Sequence, residues 1–298
     1  MSSLRQPLPI PDHCPNLSGQ IAWDDKAFVG QGGFSNVYRG TWRRPPRDVP
    51  IVIKWMRFNA DNSEESISQM KSTLREVNVW CNLRHENILP ILGFCKGIAP
   101  GMPYELAPAL VSPFCGNGII RKYLDGYTGS AELQDIKIHL ISGIAKGLHY
   151  LHSQGIVHGD LKPRNVLVSD EGTPLLADFG RAKILGKEGY THTLVAYSLR
   201  YAAPEILDLD HDDSVPEFNQ RSDMYSFGML IYEVYTGRIP FYEITTDHKV
   251  SLEVVSHSRR PRRNDIPQDW WVLMQGCRDQ AARLRTPIDA VVLSPLLI

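Results

Sequence analysis

The hydrophobic period of the chain changes at Gly118, and that change limits the fold more than any single residue does. Before it, apolar residues come in short β-branched or alternating runs; after it they recur at the spacing of helix faces. From Ile21 to Trp55 the pattern is strand-like, with Gly30, Gly32 and Gly33 clustered between two apolar runs. The run PIVIKWM (Pro50 to Met56) carries one charge, Lys54, and the segments ILPILGF and ALVSPF follow between turn signals. LREVNVWCNL is the one helical pattern in this part. Beyond Gly118, ELQDIKIHLISGIAKGLHYLHSQG is a long amphipathic helix stopped by Gly155. SDMYSFGMLIYEVYTG is a second, with Ser222 as its candidate N-cap and Gly237 as its stop. Strands first and helices later predict an α+β body in two lobes, which suits a chain of 298 residues, long for one core. The expected divisions are an N-terminal extension over 1–20 with four prolines, a small strand-rich lobe over 21–114 and a larger helical lobe over 115–298.

Charge and cysteine usage exclude several functions. With 32 basic and 33 acidic side chains, the net charge of -1 offers no field to draw in nucleic acid or anionic membrane. No apolar run approaches the eighteen residues of a membrane span, and the proline-rich start MSSLRQPLPIPDHCPN does not read as a signal peptide. The five cysteines form no CxxC pair and are odd in number, which suggests neither a zinc site nor a disulfide framework. A reducing compartment is the expectation: the cytoplasm, with the nucleus open.

Four segments carry chemistry. In VGQGGFSNVYRG, Gly30 and Gly32 let backbone N–H groups approach a polyphosphate, and Val37 follows at strand spacing; an ordinary hairpin turn is the alternative. Lys54 is a cation in an otherwise buried strand and needs an anion, for which Glu76 in the next helix is the candidate, unless the lysine snorkels from an edge. IVHGDLKPRNVLVSD places Asp160 and Asn165 five residues apart with Lys162 between them. A carboxylate to orient a hydroxyl, a cation to offset moving phosphate and an amide oxygen for a divalent metal suit phosphoryl transfer. In LLADFG, Asp178 precedes Phe179 and Gly180 after a short apolar strand.

In this order and at these intervals, the segments resemble the signature set of eukaryotic protein kinases, from about Trp23 to Leu293. The resemblance implies the two-lobed kinase fold, with ATP and Mg2+ as cofactors and protein substrates as partners. It gives Gly30, Gly32, Val37, Val52, Lys54, Ser112, Cys115 and Leu167 to the nucleotide, with Ser112 as gatekeeper and Cys115 offering its backbone to adenine. Glu76, nine residues before His85, matches the partner of Lys54; Asp160 and Lys162 match the catalytic loop, and Asn165 and Asp178 the metal ligands. Ala203-Pro204-Glu205 matches the end of the activation segment. Asp223 matches the residue that anchors the catalytic loop, and Arg285 the arginine that pairs with that glutamate.

Lys162 and Ser198 follow the serine/threonine pattern, while SDMYSFGMLIYEVYTGRIPF is similar to the tyrosine-kinase-like group. Three positions depart from the family. Ser35 replaces the loop's third glycine, Val52 replaces the usual alanine over adenine and implies weaker ATP affinity, and Gly159 replaces the arginine of the His-Arg-Asp triplet. The last implies activity without activation-segment phosphorylation, although Tyr190, Thr191 and Thr193 are available hydroxyls. A pseudokinase scaffold and a small-molecule phosphotransferase, whose loop often reads His-Gly-Asp, are the competing functions. The acidic stretch from Asp208 to Asp213 lacks the glycine and glutamate of a calcium loop. Arg259, Arg260, Arg262 and Arg263 read as a solvated turn, and Trp270 and Trp271 as core.

Overall fold

A computed structural model describes residues 10–31, 35–56, 76–96, 109–184, 198–208, 218–258, 260–263 and 265–297. Gly32, Tyr190, Thr191, Thr193, Asp210 to Asp213 and Arg259 lie outside the described residues. The chain forms two compact units, one of Met1–Arg84 with Leu89–Cys115 and one of His85–Ile88 with Gly116–Ile298.

The first unit is an antiparallel sheet. Its strands are β1 (Ile21–Gln31), β2 (Ser35–Trp42), β3 (Val49–Met56), β4 (Gly93–Cys95) and β5 (Ala109–Pro113), in the order β1-β2-β3-β5-β4. The two-residue period of β3 sorts its side chains: Ile51, Ile53 and Trp55 are buried in a core with Tyr38, Cys95, Ala109 and Val111, while Val52 and Lys54 alternate to the other face and are half-buried. Each fully enclosed isoleucine contributes about 1.5–3 kcal/mol, enough to hold the register against a one-residue slip that would turn Lys54 inward. Helix α1 (residues 76–80) belongs to this unit and begins, among the described residues, with Glu76.

The second unit is mostly helical: α2 (Ile120–Asp125), α3 (Leu133–Ser153), α4 (Pro204–Leu207), α5 (Gln220–Thr236), α6 (Asp247–His257), α7 (Gln268–Cys277) and α8 (Ile288–Val292). Short strands β6 (Ile156–Val157) and β9 (Lys183–Ile184) pair, as do β7 (Val166–Val168) and β8 (Pro174–Leu176). Leu140, Ile141, Ile144, Leu148 and Leu151 line the buried stripe of α3, as its sequence period requires. Gly155 follows the helix at φ 67°, the left-handed position that glycine accepts at least cost.

The start of α5 differs from the sequence reading. Its N-cap is Asn219, not Ser222: the Asn219 side chain accepts from the backbone of Arg221 (2.8 Å) and Ser222 (3.1 Å). Ser222 reciprocates, its Oγ accepting from Asn219 N at 3.1 Å. The serine is the third residue of a capping box, a role that its position one turn later leaves open to it. Gly237 closes the helix at φ 65° as expected. Within α5, Phe227, Met229, Leu230 and Ile231 are fully enclosed, so the helix runs through the core. Trp270 is buried, whereas Trp271 is half-buried beneath the guanidinium of Arg278.

Candidate active site

In the first unit, sheet register sets the candidate residues side by side. Gly30 pairs with Val37, and Val37 with Lys54; one rung on, Val52 pairs with Ser112. Lys54 Nζ donates to Glu76 Oε1 at 2.5 Å, and Glu76 is 1% exposed. A carboxylate so enclosed needs a cation, which answers the sequence question of what Lys54 partners. Ser112 is buried at 5%, and Cys115, also buried, is the last residue of this unit.

In the second unit, the catalytic-loop residues are held from beneath by Asp223. Its Oδ2 accepts from His158 N at 2.8 Å and its Oδ1 from Gly159 N at 2.9 Å, with His152 Nε2 3.0 Å from Oδ2. Two backbone donors on one buried carboxylate fix the peptide planes just before Asp160. The Asp160 carboxylate then meets Lys162 Nζ at 2.6 Å, Ser198 Oγ at 3.0 Å and Asn165 Nδ2 at 3.2 Å. Lys162 also donates to Ser198 Oγ at 2.8 Å, which closes a triangle of carboxylate, ammonium and hydroxyl. Asn165 Nδ2 further donates to the Asp160 carbonyl at 2.8 Å.

Asp178 is exposed and adopts φ 66°. The left-handed region costs a non-glycine residue about 1–2 kcal/mol, least for Asp and Asn, so the turn stores strain at a candidate ligand. It is braced by Phe179, fully buried with its ring 5.5 Å from that of His158. Leu167 is half-buried in β7, opposite Leu175. Glu205, in the first turn of α4, takes two bonds from Arg285, Nη1 to Oε1 at 2.6 Å and Nη2 to Oε2 at 2.7 Å.

Sequence reasoning missed two members of this assembly. His152 supports Asp223 from the buried stripe of α3, and an imidazole among leucines was the available signal. Arg181, next after the Asp-Phe-Gly turn, brings Nη1 to 3.9 Å from Asp160 Oδ1. No short motif announces that contact, because it depends on the turn at Asp178.

The donor chemistry fits a magnesium nucleotide. Asn165 makes its hydrogen bonds through Nδ2, which leaves its amide oxygen for a cation, and Asp178 adds a carboxylate; such hard oxygen donors suit Mg2+ completed by phosphate and water. No cluster of three or more His, Cys, Asp or Glu side chains that could hold a metal occurs among the described residues. Among the described residues, nothing stands within 4 Å of a Cβ built on Gly30, so packing there does not account for the glycine.

Comparison with known families matches residues 25–294 to the model described as protein tyrosine and serine/threonine kinase. The chain is 30% identical over 272 residues to the tyrosine-protein kinase Srms of Mus musculus, covering 88% of this chain and 50% of the relative. It is 33% identical over 263 residues to the receptor-interacting serine/threonine-protein kinase 3 of Rattus norvegicus, covering 85% and 49%. The rust resistance kinase Lr10 of Triticum aestivum is 32% identical over 223 residues, covering 72% and 32%. The chain thus spans 32–50% of the length of these curated relatives.

Proposed function

Because the chain belongs to the protein tyrosine and serine/threonine kinase family, with its sheet and helical units as that family's fold, we propose that it transfers the γ-phosphate of ATP to serine or threonine hydroxyls of protein substrates. The relatives include both a tyrosine kinase and a serine/threonine kinase, so the choice of acceptor rests on this chain's own residues. One observation carries it: Lys162 lies between Asp160 Oδ2 and Ser198 Oγ, at 2.6 and 2.8 Å. The side chain of Ser198 ties Lys162 and Asp160 together close to the carboxylate, an arrangement suited to a short aliphatic hydroxyl rather than a phenol at the end of a ring.

The reading divides the chemistry between residues 21–114 and 115–298. Lys54, steadied by Glu76, neutralises the α- and β-phosphates, with Gly30 and Gly32 giving the backbone room and Val37, Val52, Ser112, Cys115 and Leu167 lining the nucleotide. Magnesium, held by Asn165 and Asp178, offsets charge on the phosphates when bound. Asp160 orients the acceptor hydroxyl and takes its proton as oxygen bonds to the γ-phosphorus and ADP leaves. Lys162 offsets the charge spread over the transferring group. The transition state is loose, so positioning and charge neutralisation supply most of the rate.

The test is transfer from labelled ATP with magnesium onto a mixed peptide library, with Asp160→Asn as control and acceptor residues mapped. Signal on serine or threonine, lost in the control, supports the reading. Label on tyrosine overturns the acceptor assignment. ATP binding without peptide transfer favours a scaffold or a small-molecule phosphotransferase.

A further inference from the structure

Ser198, which meets both Asp160 and Lys162, belongs to a turn that Arg200 clamps from outside the site. Ser198 O accepts from Tyr201 N at 2.8 Å and from Ala202 N at 3.2 Å, which makes 198–202 one turn leading into α4. Arg200 lies in the middle of it and is 8% exposed. Its guanidinium uses four of its five N–H donors. Nε donates to Asp247 Oδ1 at 2.7 Å, Nη1 to Pro240 O at 2.9 Å and Phe241 O at 2.8 Å, and Nη2 to Ile244 O at 2.8 Å.

These acceptors belong to the connection between α5 and α6 and to the first turn of α6. Within the connection Phe241 is fully buried and adopts φ 57°, a conformation that a bulky residue keeps only where its surroundings enforce it. Ile244 N donates back to Phe241 O at 2.8 Å, and both side chains enter the core that also takes Ala203, Ile206 and Phe218. An apolar side chain would fill the space of Arg200 without a charge to desolvate, so packing alone does not call for a guanidinium here. A planar fork on three carbonyls adds direction: it fixes the turn in one orientation against the connection. Asp247 supplies the counter-charge, its side chain 58% exposed.

We propose that Arg200 is a positioning residue for phosphate transfer. By clamping the 198–202 turn to the α5–α6 connection, it sets Ser198 Oγ at 3.0 Å from Asp160 Oδ1 and 2.8 Å from Lys162 Nζ. Its consequence for rate rests on the proposed kinase function; its hold on the turn does not. Hydroxyl hydrogen bonds keep their strength only over a narrow span of distance and angle, so a small shift of the turn frees Asp160 and Lys162 to pair in other ways. Tyr201 anchors the same turn to α5, its hydroxyl donating to Glu233 and its carbonyl accepting from Ser226 Oγ at 2.9 Å. The turn therefore outlasts the loss of Arg200, and its setting changes.

The experiment compares the full chain with Arg200→Gln, Arg200→Lys and Asp247→Ala, each alone and in a Ser198→Ala background. Arg200→Gln is expected to lower kcat for peptide phosphorylation about tenfold, while ATP affinity by equilibrium titration stays within about twofold. Arg200→Lys keeps the charge and reaches fewer carbonyls, so it restores part of the loss. In Ser198→Ala protein the same substitutions lower kcat no further, because Arg200 acts through that hydroxyl; a general loss of packing would act in both backgrounds. Hydrogen exchange at the Tyr201 and Ala202 amides, measured without ATP, is expected to quicken about tenfold in Arg200→Gln with α3 unchanged. Asp247→Ala removes one bond at the exposed end and is expected to lower kcat about threefold, so the same readouts on it decide the matter if Arg200→Gln does not fold. Unchanged exchange, an equal loss of kcat in both backgrounds, or a loss of ATP affinity in step with kcat overturns the proposal. Parent protein that phosphorylates no peptide counts against the proposed function, and the exchange rates still decide the role of Arg200.

Discussion

The carbonyl oxygen of Arg181 lies 2.6 Å from the position that a Cβ would take on Gly159. Gly159 also sits at φ 75°, and its N–H is held by Asp223 at 2.9 Å, so the backbone cannot easily move aside. The glycine in place of the family's arginine is therefore built into the loop. Restoring the arginine, Gly159→Arg, is expected to destabilise the protein by about 1–3 kcal/mol through left-handed strain and collision with a carbonyl. It should also lower kcat at least tenfold by displacing Asp160. Denaturant unfolding and steady-state kinetics check both; parental values in both would show that the loop tolerates a side chain.

Without that arginine, no side chain at position 159 can receive an activation-segment phosphate. Protein treated with a broad phosphatase is thus expected to keep its activity within about twofold, a free-energy difference under 1 kcal/mol. Loss of most activity on dephosphorylation, with recovery on rephosphorylation, would locate a phosphate receptor elsewhere, with Arg181 the first residue to substitute.

Arg278 is 3% exposed, and none of its three guanidinium nitrogens has a hydrogen-bond partner among the described residues. Its compensation is the Trp271 ring, 4.6 Å from the guanidinium carbon. Burial lowers its pKa to about 10, which leaves a charged group at neutral pH in a site that favours a neutral one. Arg278→Met, which keeps the length and removes the charge, is expected to stabilise the chain by about 1–3 kcal/mol, a rise of a few degrees in Tm. A fall in Tm would mean that stacking on Trp271 outweighs desolvation.

The sequence carried most of the candidate site because the chemistry is local. Asp160, Lys162 and Asn165 occupy one short loop, and Lys54 stands out as the one charge in an apolar run. What stayed hidden depends on distant partners or exact backbone angles. The capping serine was misplaced because Asn219 and Ser222 both satisfy cap chemistry, and only the register of the first turn decides between them. The block on Gly159 joins it to Arg181, a residue with no shared motif, so spacing arguments could not reach it.

Glu233 offers a test by pH. It is 7% exposed, accepts from the Tyr201 hydroxyl and stands 3.9 Å from Arg121 Nη1, yet burial raises its pKa despite that hydrogen bond and the charges of Arg121 and Arg164. A raised carboxyl binds its proton more tightly folded than unfolded. Its contribution to stability is therefore largest at low pH and falls as pH rises from about 4.3 through the folded value. Glu233→Gln still accepts from Tyr201 and does not ionise. Relative to the parent, the variant is expected to gain stability between pH 4.5 and 7.5, read as Tm at each pH; a constant difference across that range would rule out the raised carboxyl.

Lys54 and Asp160 both belong to the proposed transfer, and their surroundings predict different outcomes when each is substituted. Glu76 is 1% exposed with Lys54 at 2.5 Å, so Lys54→Met takes a cation away from a buried carboxylate and should cost about 2–4 kcal/mol of stability as well as activity. Asp160→Asn keeps one oxygen to accept from Lys162, 2.6 Å from the carboxylate, and can turn its NH2 to donate to Ser198 Oγ, 3.0 Å away; it loses the charge and the capacity to take a proton. Its stability should stay within about 1 kcal/mol of the parent while turnover falls at least a hundredfold. Denaturant unfolding beside single-turnover kinetics distinguishes the two variants. Equal stability of Lys54→Met and the parent would show that Glu76 is satisfied without the lysine, and near-normal turnover in Asp160→Asn would remove Asp160 from the reaction.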